Sequence, residues 1–190
     1  MPANTTFAID LDRCWGCGTC EVACALEKKS GPGTGRIKIE EVRGKNGEAI
    51  PGSLQGRGFV PILCQQCEDP ACAAACPAGA LSRDAAGFLA FDAELCLSCG
   101  LCESACPYGA IQLAADSGQP LRCDQCASRQ SAGLLPACVQ HCPGKALAIV
   151  AEGKEADRGT ESGRGPKRAW SIGRVDYLSR GIGLSDRSPG

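Results

Sequence analysis

Apolar positions in this chain come in short bursts rather than long periodic runs. Phe7-Ala-Ile-Asp-Leu-Asp-Arg, ending at Arg13, reads as a short apolar strand closed by an acidic step. A second strand is predicted over Phe88–Phe91, after a turn at Arg83–Gly87, and leads into Asp-Ala-Glu-Leu before Cys96. Arg36–Arg43 alternates Ile37 and Ile39 with Glu41, and Asn46–Gly47 supplies a turn, so a surface hairpin is expected within 28–58. Ala71–Ala75 and Leu101–Ala105 are Ala-rich and predict single helical turns or short helices. Far along the chain, Trp170 to Leu178 forms an apolar island with Ile172, Val175 and Tyr177. No apolar run approaches the roughly 18 residues that span a bilayer, so no membrane helix is expected.

Composition sharpens this picture. A chain of 190 residues holds one domain or two small ones. Two Trp, two Tyr and four Phe are few aromatics with which to fill a core, and against them stand 25 Gly, 12 Pro and 16 Cys. Cysteine at about 8 % of residues is at the level where it must itself explain the fold. The net charge of −1 favours neither nucleic acid nor a membrane surface as a partner. Met1 to Asp12 shows no basic region, signal-length apolar stretch or twin arginine. A cytoplasmic location is therefore expected, or a periplasmic one only if a partner with an export signal carries the chain across. No nucleophile–base constellation or paired carboxylates appear, and the Gly31–Gly35 loop does not fit a dinucleotide or phosphate fingerprint. The chain is not expected to be an enzyme by itself.

The cysteines fall into four runs of four with none left over: Cys14, Cys17, Cys20 and Cys24; Cys64, Cys67, Cys72 and Cys76; Cys96, Cys99, Cys102 and Cys106; Cys123, Cys126, Cys138 and Cys142. Runs one and three read C-x-x-C-x-x-C-x-x-x-C. Runs two and four lengthen the middle gap but keep the final C-x-x-x-C, and Pro77, Pro107 and Pro143 follow the last cysteine of runs two, three and four. Disulfides would need an oxidising context and a single partner for each sulfur, whereas three cysteines crowd into seven residues. Zinc takes two C-x-x-C pairs separated by a loop and has no use for a third nearby thiolate. A cubane presents several irons at adjacent corners, so one tight loop can serve three of them while a fourth thiolate comes from another run. The spacing therefore points to four [4Fe–4S] clusters with all sixteen cysteines as ligands.

A further repeat surrounds the runs. C-P-A-G-A-L, C-P-Y-G-A-I and C-P-G-K-A-L each hand the chain to an apolar residue, Leu81, Ile111 and Leu147. Runs one and three are entered through a short strand, whereas runs two and four share P-x-x-C-x-Q-C from Pro61 and Pro120. The order A-B-A-B points to duplication of a two-cluster unit, and residues 59–115 make one complete unit. Residues 152–190 contain eight Gly, eight Lys or Arg and six Asp or Glu but no Cys, and read as an extended tail. The island at 170–178 is expected to dock on a partner subunit or a second copy of the chain, holding a terminal cluster near its redox partner.

The four runs, their order, the C-E-D-P-A-C of run two and the long gap in run four resemble the four-cluster iron–sulfur subunits of the dimethyl-sulfoxide-reductase type. The resemblance covers residues 7–150. Related chains serve polysulfide, thiosulfate, tetrathionate and arsenate reductases, formate dehydrogenases, tungsten aldehyde oxidoreductases and some hydrogenase or carbon-monoxide dehydrogenase systems. Spacing alone leaves sequential and nested pairing of the runs equally open; the resemblance implies the nested one. It gives Cys14, Cys17, Cys20 and Cys142 to cluster one, and Cys123, Cys126, Cys138 and Cys24 to cluster two. Cluster three takes Cys64, Cys67, Cys72 and Cys106; cluster four takes Cys96, Cys99, Cys102 and Cys76. The implied fold is α+β: two ferredoxin-like bicluster units, 1–27 with 116–151 and 59–115, plus the inserted hairpin at 28–58 and the tail. Ala25 stands where the other runs have proline, and Cys102 keeps a ligand position that some relatives replace.

The implied function is that of an electron-transfer subunit. It would wire electrons between a large catalytic subunit, of the Mo- or W-bis-pterin kind, and a second redox subunit or another copy of itself. A freely diffusing polyferredoxin, or an electron-transfer subunit of a hydrogenase or carbon-monoxide dehydrogenase system, is the alternative. His141 beside Cys142 has no ligand role to fill once each cluster has four thiolates. Trp15 and Tyr108 read as packing that excludes water, and Arg122 as a solvated surface position.

Overall fold

The computed structural model describes residues 5–31, 33–43, 57–85, 87–151, 168–172 and 174–179. Strand β1 (Thr5–Asp10) passes through a 3-10 turn, Leu11–Arg13, into run one and helix α1 (Thr19–Glu27). Strands β2 (Ile37–Val42) and β3 (Gly58–Leu63) lead to run two, with α2 (Ala71–Ala74) and β4 (Leu81–Arg83). Then come β5 (Leu89–Phe91), α3 (Leu101–Ser104), β6 (Gln112–Leu113) and β7 (Pro120–Leu121). Run four carries α4 (Ala127–Ser131) and α5 (Ala137–Gln140), followed by β8 (Leu147–Ala151), β9 (Arg168–Ile172) and β10 (Val175–Ser179). The expected mixture of helix and strand is what the chain adopts.

Strand pairing decides which runs lie side by side. β1 pairs antiparallel with β8, Ile9 opposite Leu147, and the Asp10 amide donates to the Ala146 carbonyl at 2.8 Å. The exit of run four therefore lies against the entry to run one. β4 pairs antiparallel with β5, Leu81 opposite Phe91, which sets the exit of run two against the entry to run three. The short ladder of β6 with β7 joins the exit of run three to the entry of run four. The hairpin expected within 28–58 is the pair β2–β3, but its second strand reaches Leu63 and so feeds run two directly. The turn placed at Asn46–Gly47 lies outside the described residues.

The tail departs from expectation. β10 runs parallel to β1, Phe7 opposite Val175 and Ile9 opposite Tyr177, giving a four-stranded sheet of order β8-β1-β10-β9. Val175, Tyr177 and Leu178 are buried there. Docking of these three side chains on a partner is thereby corrected: they complete the chain's own core. A parallel partner strand needs no hairpin, only enough intervening chain to cross over, so nothing local in 152–190 announced the pairing. Both edges of the tail segment are tied down. The Arg174 amide donates to the Gln65 carbonyl at 2.8 Å, and Ser179 Oγ donates to Asp12 Oδ1 at 2.8 Å. Gln65 Nε2 donates to the Tyr177 hydroxyl at 2.9 Å, and the Arg174 guanidinium lies 4.5 Å from the centre of the Phe88 ring.

One apolar cluster runs through the molecule, and cysteines are interleaved with its aliphatic members. Cys20, Cys24, Cys64, Cys72, Cys102, Cys123, Cys138 and Cys142 pack with Phe7, Ile9, Leu63, Leu81, Ile111, Leu147 and Tyr177. A core in which thiols take so many places encloses gaps whose filling determines its stability.

Candidate metal centres

Two local rules recur, the first in all four runs and the second in runs two, three and four. At its start, the residue two positions after the first cysteine takes a left-handed conformation: Gly16, Gln66, Ser98 and Gln125, at φ between 52 and 71°. That turn points its own N–H back at the first sulfur. Ser98 N lies 3.4 Å from Cys96 Sγ and Gln125 N 3.3 Å from Cys123 Sγ, and Gly16 and Gln66 donate in the same way to Cys14 and Cys64. Only in run one is the position glycine, and there Phe59 explains it. A Cβ on Gly16 would lie 2.4 Å from that ring, so the close approach excludes any side chain.

At the end of a run, the C-P-x-x-A segment turns again through a left-handed residue, Gly79, Gly109 or Lys145. The alanine amide after it donates to the last sulfur: Ala110 N to Cys106 Sγ at 3.4 Å, and Ala146 N to Cys142 Sγ at 3.3 Å. Run one has no such turn because Cys24 lies inside α1 and Ala25 continues the helix. Arg36 N, just before β2, supplies the donor at 3.4 Å instead. The missing proline therefore costs no sulfur its N–H contact.

The structure brings together cysteines distant in sequence. Cys142 lines the same gap as Cys14, Cys17 and Cys20, bordered by Trp15, Ile39, Pro61 and Leu147. Trp15 lies over Gly144, whose missing side chain makes room for the indole. Cys76 shares a gap with Cys96, Cys99 and Cys102, walled by Leu81, Phe91, Leu97 and Leu101. Cys106 faces Cys64, Cys67 and Cys72, and Cys24 faces Cys126 and Cys138. Cys123, itself buried, faces both Cys138 and Cys64, so the second and third groups meet there.

Burial is the dominant influence on these sulfurs. It pushes Cys20 up to about 12 and Cys72 up to about 11, each reinforced by neighbouring thiols, and it also raises Cys123 and Cys138 well above their ordinary range. A bare thiolate is thus strongly disfavoured where the thiols are most enclosed, and ionisation there requires a metal to take the charge. Cys76 is the exception: desolvation is again the largest single influence and raises it. The N–H groups of Leu81, Ala78, Ala80 and Gly79 together outweigh that and hold the thiol below its ordinary range. Among the described residues no three Cys, His, Asp or Glu side chains meet closely enough to hold a single metal ion; the sulfurs instead ring gaps. Four soft donors around a space lined by aliphatic side chains, with N–H groups aimed at the sulfurs, fit an iron–sulfur cluster.

Sequence reasoning missed the polar framework between these groups. Asp124 accepts from Lys28 Nζ at 2.8 Å and Arg36 Nη1 at 3.2 Å, joining α1, β2 and run four. Burial would raise its carboxyl; the Lys28 hydrogen bond, the two cations and the Cys126 amide outweigh that and hold it below the usual carboxylate range. Gln66 Nε2 donates to the Cys123 carbonyl at 2.8 Å while its Oε1 accepts from Leu89 N, tying run two to run four and β5. The glutamines of P-x-x-C-x-Q-C were the available signal. Arg122 is corrected: it is not a solvated position but is only 8 % exposed, enclosed beside Cys64 and Cys123.

Comparison with known proteins agrees with the donor set. The 4Fe-4S dicluster domain family matches residues 57–152, and the 4Fe-4S binding domain family matches residues 11–28. Over 150 residues the protein is 41% identical to the probable anaerobic dimethyl sulfoxide reductase chain YnfG of Escherichia coli K12, covering 77% of this sequence and 73% of that one. The B subunit of anaerobic dimethyl sulfoxide reductase from the same organism is 40% identical, with the same coverage. The thiosulfate reductase electron transfer subunit PhsB of Salmonella typhi is 37% identical over 139 residues, 73% of this sequence and 71% of that one.

Proposed function

The chain belongs to the iron–sulfur subunits of the dimethyl sulfoxide reductase family, and from that premise we propose that it wires electrons through four [4Fe–4S] clusters between a catalytic subunit and a second redox partner. The catalytic subunit is of the Mo- or W-bis-pterin kind. The ligand sets of the proposal are the nested ones, each joining three cysteines of one run to the last cysteine of another, and the halves are 1–27 with 116–151 and 59–115. The observation that carries the proposal is the meeting of Cys142 with run one and of Cys76 with run three, each around an apolar gap. When bound, a cluster supplies a one-electron couple whose potential follows charge, hydrogen bonds to sulfur and exposure.

The chain's own residues set those three quantities. The left-handed turns aim N–H groups at the first and last sulfur of a run, which favours the more negative, reduced state. Leu81, Phe91, Ile39 and Leu147 exclude water from two of the gaps. Trp15, Leu97 and Leu101 border those same gaps yet remain about half exposed or more, which is how an electron-transfer site meets a partner: apolar, and thin between donor and acceptor. No helix among the described residues is long and apolar enough to cross a membrane, and a cytoplasmic site of action is part of the proposal.

Anaerobic purification of the tagged protein from its native host tests the reading. Co-purification of a large pterin-containing subunit, with iron and acid-labile sulfide matching the sixteen cysteines, is the expected result. A fully loaded protein that never associates with such a subunit identifies a diffusing polyferredoxin and overturns the wiring role.

A further inference from the structure

The two P-x-x-C-x-Q-C segments provide an internal comparison. Pro61-Ile-Leu-Cys64 matches Pro120-Leu-Arg-Cys123, so Arg122 stands where the other segment has Leu63. Leu63 is 0% exposed and Arg122 only 8%. The duplication thus puts a guanidinium where its counterpart buries an isobutyl group. Enclosing a cation is costly unless an anion accompanies it.

The hydrogen bonding of Arg122 is thin. Nη1 donates to the Cys123 carbonyl at 3.4 Å, and the buried Nε has no partner among the described residues. Asp124, the carboxylate in reach, is committed to Lys28 at 2.8 Å and Arg36 at 3.2 Å. The other anion-forming groups that face Arg122 are the Cys64 and Cys123 thiols, the first sulfurs of runs two and four. Arginine keeps its charge in proteins even where burial opposes it, and Asp124 is one carboxylate shared among three cations, Lys28, Arg36 and Arg122, so the remaining compensation must be negative charge at those sulfurs.

We propose that Arg122 is a redox-tuning residue: a fixed counter-charge between the cluster bound through Cys64 and the cluster bound through Cys123, which favours the reduced state of both and holds the electron at the junction of the two halves. The inference rests on the ligand sets proposed above. Each cluster takes up one electron and no bond forms or breaks. A cluster held by four thiolates is an anion that becomes more negative on reduction, so an adjacent cation stabilises the reduced form more. The gap of Cys76, Cys96, Cys99 and Cys102 has no charged side chain in its lining and serves as the internal control.

The test is a potentiometric titration with dithionite, followed by electron paramagnetic resonance, on the intact anaerobically purified protein and on Arg122→Leu, Arg122→Gln and Arg122→Lys. With both neutral variants, two of the midpoints are expected to fall by a tenfold or larger change in the reduction equilibrium, which is 59 mV for a one-electron couple. The other two midpoints hold, and Arg122→Lys stays close to the parent. Unchanged midpoints at full iron content overturn the inference, as does a uniform fall of all of them. A lysine variant that falls as far as the leucine variant removes the role of charge. Iron loss in both neutral variants makes Arg122 an assembly element and equally overturns tuning. If two midpoints shift but they are not those silenced by Cys106→Ser and Cys24→Ser, the tuning stands and the ligand sets fail.

Discussion

The two halves proposed above share a cysteine grammar but not a casing. Around Cys24, Cys123, Cys126 and Cys138 every thiol is buried, the Lys28–Asp124–Arg36 bridge closes one side, and α1 packs on α5 above a core backed by the four-stranded sheet. Around Cys76, Cys96, Cys99 and Cys102 the backing is the three-residue ladder of β4 with β5, Cys99 is exposed, and Leu95, Leu97 and Leu101 stand half or more in solvent. Duplication fixes ligand geometry because the turns that aim N–H groups at sulfur are local. Protection is set by what packs outside, and there the copies have diverged. The Cys24, Cys123, Cys126 and Cys138 group is enclosed on all sides, whereas the Cys76, Cys96, Cys99 and Cys102 group lies close to its surroundings.

The largest effect that divides the halves is metal removal. Eight aromatics, two Trp, two Tyr and four Phe, and a core interleaved with thiols leave too little apolar surface for the chain to fold without its clusters. Anaerobic iron chelation is expected to abolish the cooperative melt and the native far-ultraviolet dichroism. Iron should leave the surroundings of exposed Cys99 before those of Cys123. A metal-free protein that keeps a native spectrum would show the casing to be self-sufficient.

Next in size are the crossed ligand exchanges. Cys24→Ser should remove the spectroscopic signal of the cluster held by Cys123, Cys126 and Cys138, although Cys24 lies in run one. Cys76→Ser should remove that of Cys96, Cys99 and Cys102. The first substitution disturbs a fully buried group beneath the α1–α5 contact and should also lower expression and melting temperature, whereas the second leaves the rest of the fold nearly intact. Equal damage from the two would break the comparison, and loss of the Cys14–Cys20 signal from Cys24→Ser would replace nested pairing with pairing within runs.

Much of this was legible in the sequence because it is local. The runs, the short helices after Ala71 and Leu101, and the strands at Phe7 and Leu89 follow from spacing, alanine content and alternation within a few residues. The left-handed residues were legible where they are Gly16, Gly79 and Gly109, but not at Gln66, Ser98, Gln125 or Lys145, where contacts to sulfur and packing override the side chain's preference. Arg122 was misread for the same reason. A single cation beside a run looks solvated until Leu63 is seen to occupy the equivalent buried place. The tail was misread because its partner, β1, lies more than 160 residues away in the register Phe7↔Val175, and an amphipathic burst carries no information about which surface it covers.

The tail offers a third lever, acting on the better-cased half. Tyr177 is 2% exposed, opposite Ile9, and its hydroxyl accepts from Gln65 and donates to the Pro61 carbonyl. Tyr177→Ala should cost about 3–5 kcal/mol, the usual range for deleting a buried ring, read from anaerobic denaturant unfolding of the loaded protein. Burial pushes the phenol up to about 12 from its ordinary 10, the Gln65 hydrogen bond only partly opposing it. Because the folded value is the higher one, the stability it contributes is complete below pH 10 and is lost as pH rises through about 12. Tyr177→Phe should flatten that alkaline decline. An unchanged decline would assign it to other groups, among them Tyr108, whose phenol burial also raises.

The smallest effect is the most direct comparison of the casings. Leu97 follows Cys96 and is 68% exposed, whereas Val139 follows Cys138 and is 7% exposed. Truncating an enclosed aliphatic side chain removes contacts that the surroundings only partly recover, while truncating an exposed one removes little. In the isolated, loaded protein Val139→Ala should cost about 1–3 kcal/mol and Leu97→Ala no more than about 0.5 kcal/mol. The order should reverse when the readout is association with the catalytic or second redox subunit. There an exposed leucine over a gap shared by four sulfurs is a contact to lose, and a buried valine of α5 is not. Equal costs in the isolated protein would mean that the two casings protect their clusters alike. A Leu97→Ala variant that associates and transfers electrons at the parental rate would place the working face of the second half elsewhere.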